Sequence, residues 1–146
     1  MPDIEDTFRE QAAENMMRSM SFGEARTRVG ERLRVAALGA VPQGSEHRII
    51  HDGTHFVCVN PGIRVRDQEA APTHADLTAV LNHEASRGSS AMFGLVFDVS
   101  KAHRRIGVIE RDWGLQACAT LARGCEPSES DEVWVNTVGT YGIGSA

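Results

Sequence analysis

The amino-acid sequence predicts an α+β protein, with helices and short strands in no repeating order. Apolar residues recur at helical spacing over residues 4–20 and 72–87, whereas residues 33–59 and the chain from residue 92 onward carry short apolar runs that are typical of strands. Of the 146 residues, 41% are hydrophobic and 24% are charged. This composition excludes a wholly disordered chain and allows a real core.

The N-terminal part of the chain predicts a helical segment over residues 1–30. Apolar residues recur about every four positions over residues 4–20, and the helical pattern resumes beyond Gly23. Acidic residues dominate residues 1–15, whereas arginines dominate residues 18–34. Charge is therefore segregated along this part of the chain.

The central part predicts a β-hairpin followed by a helix. Residues 33–41 form an apolar run that Pro42 ends, and the turn residues that follow favour pairing with residues 47–51. Alternation over residues 56–59 predicts another short strand. The spacing over residues 72–87 predicts the clearest helix of the chain.

The C-terminal part predicts mainly strands. Residues 92–99 are a nearly continuous apolar run, which is typical of a buried strand. One helical turn is expected over residues 100–105. Further strands are predicted over residues 106–109, 113–120 and 133–135.

Composition also bounds the class of protein and its compartment. The formal net charge is −5, so the chain as a whole lacks a strongly basic nucleic-acid footprint. No apolar run is long enough for a signal peptide or a membrane span. Cys58, Cys118 and Cys125 match neither a disulfide framework nor a zinc site. We therefore expect an intracellular protein, in the cytoplasm or the nucleus.

Asp98 is the strongest candidate for chemistry, because it lies at the far end of the strand predicted over residues 92–99. A carboxylate held there can bind a hard cation such as Mg²⁺. The alternative is a helix cap, in which Asp98 or Ser100 accepts hydrogen bonds from the following turn. Three cations follow closely, namely Lys101, which is the sole lysine, Arg104 and Arg105; they are either phosphate-binding cations or part of a solvated face.

A second group of polar residues lies on the predicted hairpin and just after it. His47, His51 and His55 alternate with Arg48 and Asp52. The spacing lacks the further ligands that a zinc site needs, so we interpret the histidines as solvated or core residues. Arg48 and Asp52 either form an ion pair, or the guanidinium is free to engage phosphate oxygens in pairs.

Two stretches carry more specific patterns. Residues 97–106 read Phe-Asp-Val-Ser-Lys-Ala-His-Arg-Arg-Ile, with alanine four residues after Asp98, and residues 139–146 read Gly-Thr-Tyr-Gly-Ile-Gly-Ser-Ala. The first is similar to the first catalytic motif of reverse transcriptases, which are RNA-directed DNA polymerases. The second resembles a divergent form of their second motif, a Pro-Phe-Gly-Leu turn under the incoming nucleotide. Thr140 replaces the proline of that turn.

The resemblance extends over residues 31–146 and implies a partial fingers and palm domain of a right-hand polymerase. Arg48, four residues before Asp52, matches an arginine of the family's fingers hairpin, and Asn60 matches the asparagine that follows there. The helix opened by Pro72 is similar to the one that leads into the palm. Residues 112–116, which read Asp-Trp-Gly-Leu-Gln, and residues 135–139, which read Val-Asn-Thr-Val-Gly, are similar to sequences in retroelement-derived polyproteins of protists.

This resemblance implies roles for individual residues. Asp98 would be a catalytic, metal-binding carboxylate, with the Val99 carbonyl beside it. The nucleotide-binding residues that it implies are Arg48, Lys101, Ala102, His103, Tyr141 and Gly142. Arg48 would contact the triphosphate with support from the Lys101 and Ala102 amides, and His103 would screen the sugar's 2′ position. A large aromatic residue is usual at that gate, so histidine brings discrimination against ribonucleotides into question.

The family's third motif, a hairpin ending in paired aspartates, lies beyond the second motif, and this chain ends at Ala146. Asp98 alone cannot hold two cations about 3.5 to 4 Å apart. We therefore expect an inactive fragment that lacks the paired-aspartate hairpin, the rest of the palm and the thumb. Mg²⁺ or Mn²⁺, an RNA or DNA template–primer and a deoxynucleoside triphosphate are expected for the complete polymerase only.

A truncated palm would leave the strand over residues 92–99 with an unpaired edge, so we expect marginal stability and poor solubility. An alternative is a non-catalytic module, derived from a polymerase, that binds nucleic acid or a protein partner. Its cations would be Arg26, Arg28, Arg32, Arg34, Arg48, Arg64 and Arg66. A third possibility is a small α+β domain without retained activity.

Overall fold

The computed structural model describes residues 4–44, 46–64, 71–88, 93, 95–121 and 125–143. These residues have a mixed α+β fold, as the sequence predicts. Contacts divide the chain into two units. The first consists of Met1–Ile63 with Lys101–Ala146, and the second consists of Arg64–Ser100.

The first unit contains most of the regular structure. Its longer helices and its strands are α1 (Ile4–Ala13), β1 (Met17–Ser21), α2 (Phe22–Val29), β2 (Val35–Ala36), β3 (Leu38–Gln43), β4 (Glu46–His51), β5 (Ala117–Cys118) and β6 (Glu132–Asn136). Short 3₁₀ helices cover Gly30–Arg32, Asn60–Gly62, Ala102–Arg105 and Glu110–Gln116. A four-stranded sheet has the order β1-β6-β5-β2, and β3 and β4 form a separate hairpin.

The N-terminal helix is shorter than predicted. It ends at Ala13, and Asn15 adopts a positive φ of 60° before the chain enters β1. Met17–Ser21 then pair antiparallel with β6. The prediction of a helix to residue 20 was therefore wrong, because a strand more than 100 residues away in the sequence recruits this segment into a sheet.

The second helix, α2, confirms the helical pattern predicted beyond Gly23. The Ser21 side chain accepts a hydrogen bond from the Glu24 amide at 3.2 Å, which caps the helix at its N-terminus. Gly30 follows with a φ of 58° and ends it. Local signals at both ends thus agree with the observed bounds.

The predicted hairpin is also confirmed. Strands β3 and β4 pair antiparallel from Leu38 opposite His51 to Gln43 opposite Glu46, and Gly44 in the turn has a φ of 64°. The start of the predicted strand belongs to a different sheet, because Val35–Ala36 pair parallel with β5.

The core of the first unit lies between the four-stranded sheet and its helices. One cluster contains Phe8, Met17, Cys118 and Trp134, and the Phe8 and Trp134 rings lie 5.6 Å apart. A second cluster contains Ala25, Ala119 and Val133. Because Phe8 belongs to α1, the apolar face of this helix is a core face. Burial in the first cluster raises the pKa of the Cys118 thiol, which keeps the thiol in the neutral form.

Three of the predicted strands differ from the structure. Residues 56–59 form turns in which Phe56 and Cys58 have positive φ values of 60° and 50°. Residues 106–109 contribute only the bridge between Gly107 and Val138. Residues 113–120 form the end of a 3₁₀ helix and then the two-residue strand β5. In contrast, the strand predicted over residues 133–135 is confirmed as β6.

The second unit contains α3 (His74–Ser86), which confirms the predicted helix. Thr73 and Asp76 form a capping box at its N-terminus. The strand predicted over residues 92–99 is not observed in its described part: Phe93 and residues 95–99 are neither in a strand nor buried. Among the described residues, no helix has the length and apolar character needed to cross a bilayer.

Candidate functional site

A cavity of about 550 Å³, lined by both polar and apolar side chains, lies within the first unit. Its walls come from α1, the β3–β4 hairpin, the start of the third 3₁₀ helix and the segment after β6. Three of the predicted nucleotide-binding residues, Arg48, Lys101 and Tyr141, line it. The volume lies within the range of about 300 to 1,000 Å³ that is usual for small-molecule sites.

The Tyr141 ring makes contacts with two of the predicted residues. The guanidinium carbon of Arg48 lies 4.7 Å from the centroid of the Tyr141 ring, a cation–π geometry. The His103 ring lies against the same tyrosine, with the two centroids 3.5 Å apart. These contacts bring a strand, a 3₁₀ helix and the C-terminal segment together around one side chain.

Backbone contacts hold Tyr141 and Gly142 against the hairpin. The His51 amide donates to the Tyr141 carbonyl at 3.0 Å, and the Asn60 side-chain amide donates to the Gly142 carbonyl at 2.8 Å. Gly142 has a φ of 92°, and a Cβ atom there would overlap the carbonyl oxygen of His51. Only glycine suits this close approach. Gly142 is not among the lining residues of the cavity, but its close approach to the hairpin positions the neighbouring Tyr141.

Lys101 has an unusual backbone and an acidic neighbour. Its φ of 53° places it in the left-handed region immediately before the helix Ala102–Arg105. Its ammonium nitrogen lies 3.5 Å from a carboxylate oxygen of Glu14. Ala102, the next predicted residue, is exposed at the first position of this short helix.

Arg104 is the most buried cation of the cavity wall. Its guanidinium donates to the Asn136 side-chain oxygen at 2.6 Å and to the Gly139 carbonyl at 3.2 Å, and it also bonds to Gln11. Burial lowers the pKa of Arg104 from its ordinary value, but the pKa of an arginine is so high that the group stays charged. Arg104 thus ties α1, β6 and the 3₁₀ helix together.

The surroundings of His51 and His103 lower the pKa of both imidazoles, which favours their neutral forms. Burial, with a smaller contribution from Arg104, lowers the pKa of His51 to about 4. Burial also lowers the pKa of His103, assisted by the charges of Arg104 and Arg48. Within the described part of the chain, Nδ1 of His51 and Nε2 of His103 are buried without a hydrogen-bond partner.

Asp98 and Val99 belong to the second unit, where both are exposed. The capping alternative is not seen at the helix Ala102–Arg105, because its N-cap residue is Lys101 and no side chain caps it. No group of three His, Cys, Asp or Glu side chains that could hold a metal occurs among the described residues. A cation at Asp98 stays a prediction.

In the hairpin region, the structure tests the predicted ion pair between Arg48 and Asp52. Asp52 accepts from the Thr54 and His55 amides at 3.1 and 3.0 Å and lies 2.8 Å from Nδ1 of His55. These hydrogen bonds lower the pKa of Asp52, and the bond from the His55 amide has the largest effect. Arg48 contacts Tyr141 instead, so the proposed Arg48–Asp52 ion pair is not found in the described structure.

Ion pairs occupy several arginines of the proposed nucleic-acid surface. Three pairs have short N–O distances: Arg26–Glu129 at 2.6 Å, Arg28–Glu110 at 2.5 Å and Arg32–Asp112 at 2.5 Å. Arg34 donates to backbone carbonyls. Arg66 lies outside the described residues. The paired cations are therefore partly neutralised, which reduces the basic surface on which a nucleic-acid module would depend.

Sequence reasoning missed the contribution of α1 to the cavity. Glu10 and Gln11 of α1 line it together with Glu14, the residue after the helix, whereas the sequence assigned no role to the charged face of this segment. The spacing of Glu10 and Glu14, four residues apart, places both on one helical face and could have indicated a shared wall. The burial of Arg104 had no local signal.

Together these features define a mixed α+β protein with a cation-bearing cavity in its larger unit. A scan of protein-family models, a search of curated proteins and a search of solved structures each gave no match to this chain.

Proposed function

We propose that this chain is a fingers and front-palm piece of an RNA-directed DNA polymerase of a retroelement, and that the cavity of its first unit binds the phosphates of a deoxynucleoside triphosphate. One observation carries the proposal. Arg48, Lys101 and Tyr141, which lie far apart in the sequence and which the resemblance assigns to nucleotide binding, line the same cavity.

The chemistry of these side chains suits a polyphosphate. A guanidinium presents a planar fork of donors that can engage two phosphate oxygens, whereas the lysine ammonium acts as a compact point charge. The contact of Arg48 with the Tyr141 ring restricts the guanidinium before any ligand arrives. Less side-chain freedom is then lost on binding, which favours affinity.

The remaining parts of the polymerase proposal concern the cation and the template–primer. Asp98 offers one carboxylate for Mg²⁺ or Mn²⁺, but the described residues hold no group of three candidate ligands. This donor set does not suit a two-metal centre, so we assign no catalytic step to the chain. Template–primer binding belongs, in this proposal, to the complete polymerase.

Replacing Arg48 with glutamine tests the proposal directly. We expect Arg48→Gln to weaken binding of a deoxynucleoside triphosphate by about ten- to a hundredfold, because a charge-assisted hydrogen bond to phosphate is lost. Isothermal titration calorimetry on the 146-residue chain measures the effect. Arg111→Gln removes the same charge from an exposed arginine that does not line the cavity, and should bind as the unmodified chain does.

Two results would count against nucleotide binding in this cavity. The first is an unmodified, folded chain that shows no heat of binding with the triphosphate. The second is equal weakening by Arg48→Gln and Arg111→Gln, which would indicate that net charge alone attracts the ligand. Circular dichroism on all three proteins establishes that each is folded.

A further inference from the structure

The cavity that carries the phosphate-binding cations also contains acidic side chains. Glu10 and Glu14, contributed by α1 and the residue after it, line the same space as Arg48 and Lys101. Glu14 reaches the Lys101 ammonium at 3.5 Å. The Glu14 carboxylate thus interacts with the same ammonium group that a ligand's phosphate would contact.

We propose that Glu14 is an affinity-setting residue: its carboxylate competes with the ligand's phosphates for Lys101 and must be displaced when the ligand binds. This inference rests on the proposed function, since it concerns the same cavity. It goes beyond that function by assigning a competing role to an acidic residue that the resemblance leaves unassigned.

The geometry makes such displacement inexpensive. Both side chains are about half exposed, 56% for Lys101 and 53% for Glu14, and the N–O distance of 3.5 Å is long for an ion pair. Exposed pairs of this kind are weak and screened by solvent. A polyphosphate carries several negative charges and therefore competes successfully against a single carboxylate. Losing Glu14 should tighten binding only modestly, by about two- to fivefold.

The backbone around Lys101 limits how far the lysine side chain can move. Its backbone is held at a φ of 53° immediately before the 3₁₀ helix that carries buried Arg104. The start of the lysine side chain is thus fixed by the fold, while its ammonium end can move between partners. The backbone of Glu14 is also hydrogen-bonded, since its amide donates to the Glu10 carbonyl at 3.1 Å.

Lys101 is the sole lysine of the chain, which provides a specific probe. Reductive dimethylation with ¹³C-formaldehyde preserves the positive charge and labels only Lys101 and the N-terminal amine. We expect Glu14→Gln to move the Lys101 methyl resonance in the absence of ligand. Glu126→Gln removes the same charge from an exposed loop residue and should leave that resonance unchanged.

The affinity measurement uses inorganic triphosphate as the probe. Glu14→Gln should bind it about two- to fivefold more tightly than the unmodified chain, whereas Glu126→Gln should not. The competition acts through the Lys101 ammonium, so Glu14→Gln should not change the affinity when it is introduced into Lys101→Gln. The double variant should therefore bind the probe as tightly as Lys101→Gln alone does. Circular dichroism on each variant controls for folding.

The outcomes separate this inference from the proposed function. Binding by the unmodified chain with unchanged affinity in Glu14→Gln overturns the competition and leaves the phosphate site standing. The competition is also overturned if the double variant binds more tightly than Lys101→Gln alone, since Lys101 would then not mediate the effect of Glu14. Absence of binding in every variant, including Glu14→Gln, overturns the phosphate site and the competition together.

Discussion

His51 shows how strongly a single residue can depend on its surroundings in this fold. It ends strand β4 and is only 3% exposed, and its backbone amide anchors Tyr141. Burial, with Arg104 nearby, lowers its pKa to about 4. Protonation of His51 therefore opposes folding, because the unfolded chain binds the proton more readily than the folded one does.

Stability should consequently fall on acidification between about pH 6.5 and pH 4. In this range the unfolded state is protonated at His51 while the folded state is not, so the free energy of unfolding rises with pH. The pKa change corresponds to about 3 kcal/mol, with His103 adding in the same direction. Urea titrations at pH 7, 5.5 and 4.5 measure the dependence.

The matched variants are His51→Gln and His47→Gln, which alter a buried and an exposed histidine of the same strand. The pH dependence should be reduced in the first and retained in the second. Carboxylates such as Asp76 and Asp131, whose pKa values are lowered by hydrogen bonds, lose their contribution at still lower pH. An equal slope in both histidine variants would contradict the role of His51.

The residues of the site that could be predicted are those that lie in a recognisable sequence motif. Arg48, Lys101 and Tyr141 were identified through patterns in the sequence, and they line one cavity. Glu14 had no such pattern, and the pattern around Arg104 predicted a phosphate-binding cation or a solvated face but not the observed burial. Their roles depend on α1 packing beside the 3₁₀ helix, a contact between residues about 90 positions apart. Local spacing contains no information about such a contact.

Among the secondary-structure elements, α1 and α3 differ sharply in what they bury, although both were predicted from apolar spacing. Phe8 of α1 is 1% exposed and packs against Trp134, whereas Leu77, Val80 and Leu81 of α3 are exposed. A helix can therefore form from its own capping and spacing without contributing to a core. Its energetic role follows from its contacts.

This contrast gives a prediction for paired substitutions. Phe8→Ala should lower the free energy of unfolding by about 3 to 5 kcal/mol, since it leaves a cavity beside Trp134 and Met17. Leu81→Ala in α3 should change it by about 0.5 kcal/mol or less. Chemical denaturation followed by tryptophan fluorescence measures both. A loss for Leu81→Ala as large as that for Phe8→Ala would show that α3 is buried in solution.

The elements predicted correctly are those that local signals determine. The β3–β4 hairpin depends on a turn between adjacent strands, and α2 and α3 have side-chain caps at their N-termini. Strand β1 was mistaken for helix because its partner, β6, is distant in the sequence. The apolar composition of residues 92–99 suggested burial, but in its described part the structure supplies no neighbouring strand.

For the molecule as a whole, the two units have very different apolar exposure. The first unit has two clusters of buried residues around its sheet. In the second, Phe93 and Phe97 are 85% and 84% exposed, and Val96 is also exposed. Several large apolar side chains close together on an exposed segment favour association between molecules. Self-association should therefore arise from the second unit.

Replacing Phe93 and Phe97 with serine in one variant should reduce aggregation of the purified chain, as followed by light scattering over a range of protein concentrations. The thermal transition of the first unit should stay unchanged, because neither side chain is buried. Phe56→Ser is the matched control, since Phe56 is 100% exposed but lies in a turn of the first unit. If the double variant aggregates at the rate of the unmodified chain, another surface drives association; if Phe56→Ser suppresses aggregation equally, the effect is one of general hydrophobicity and does not belong to the second unit.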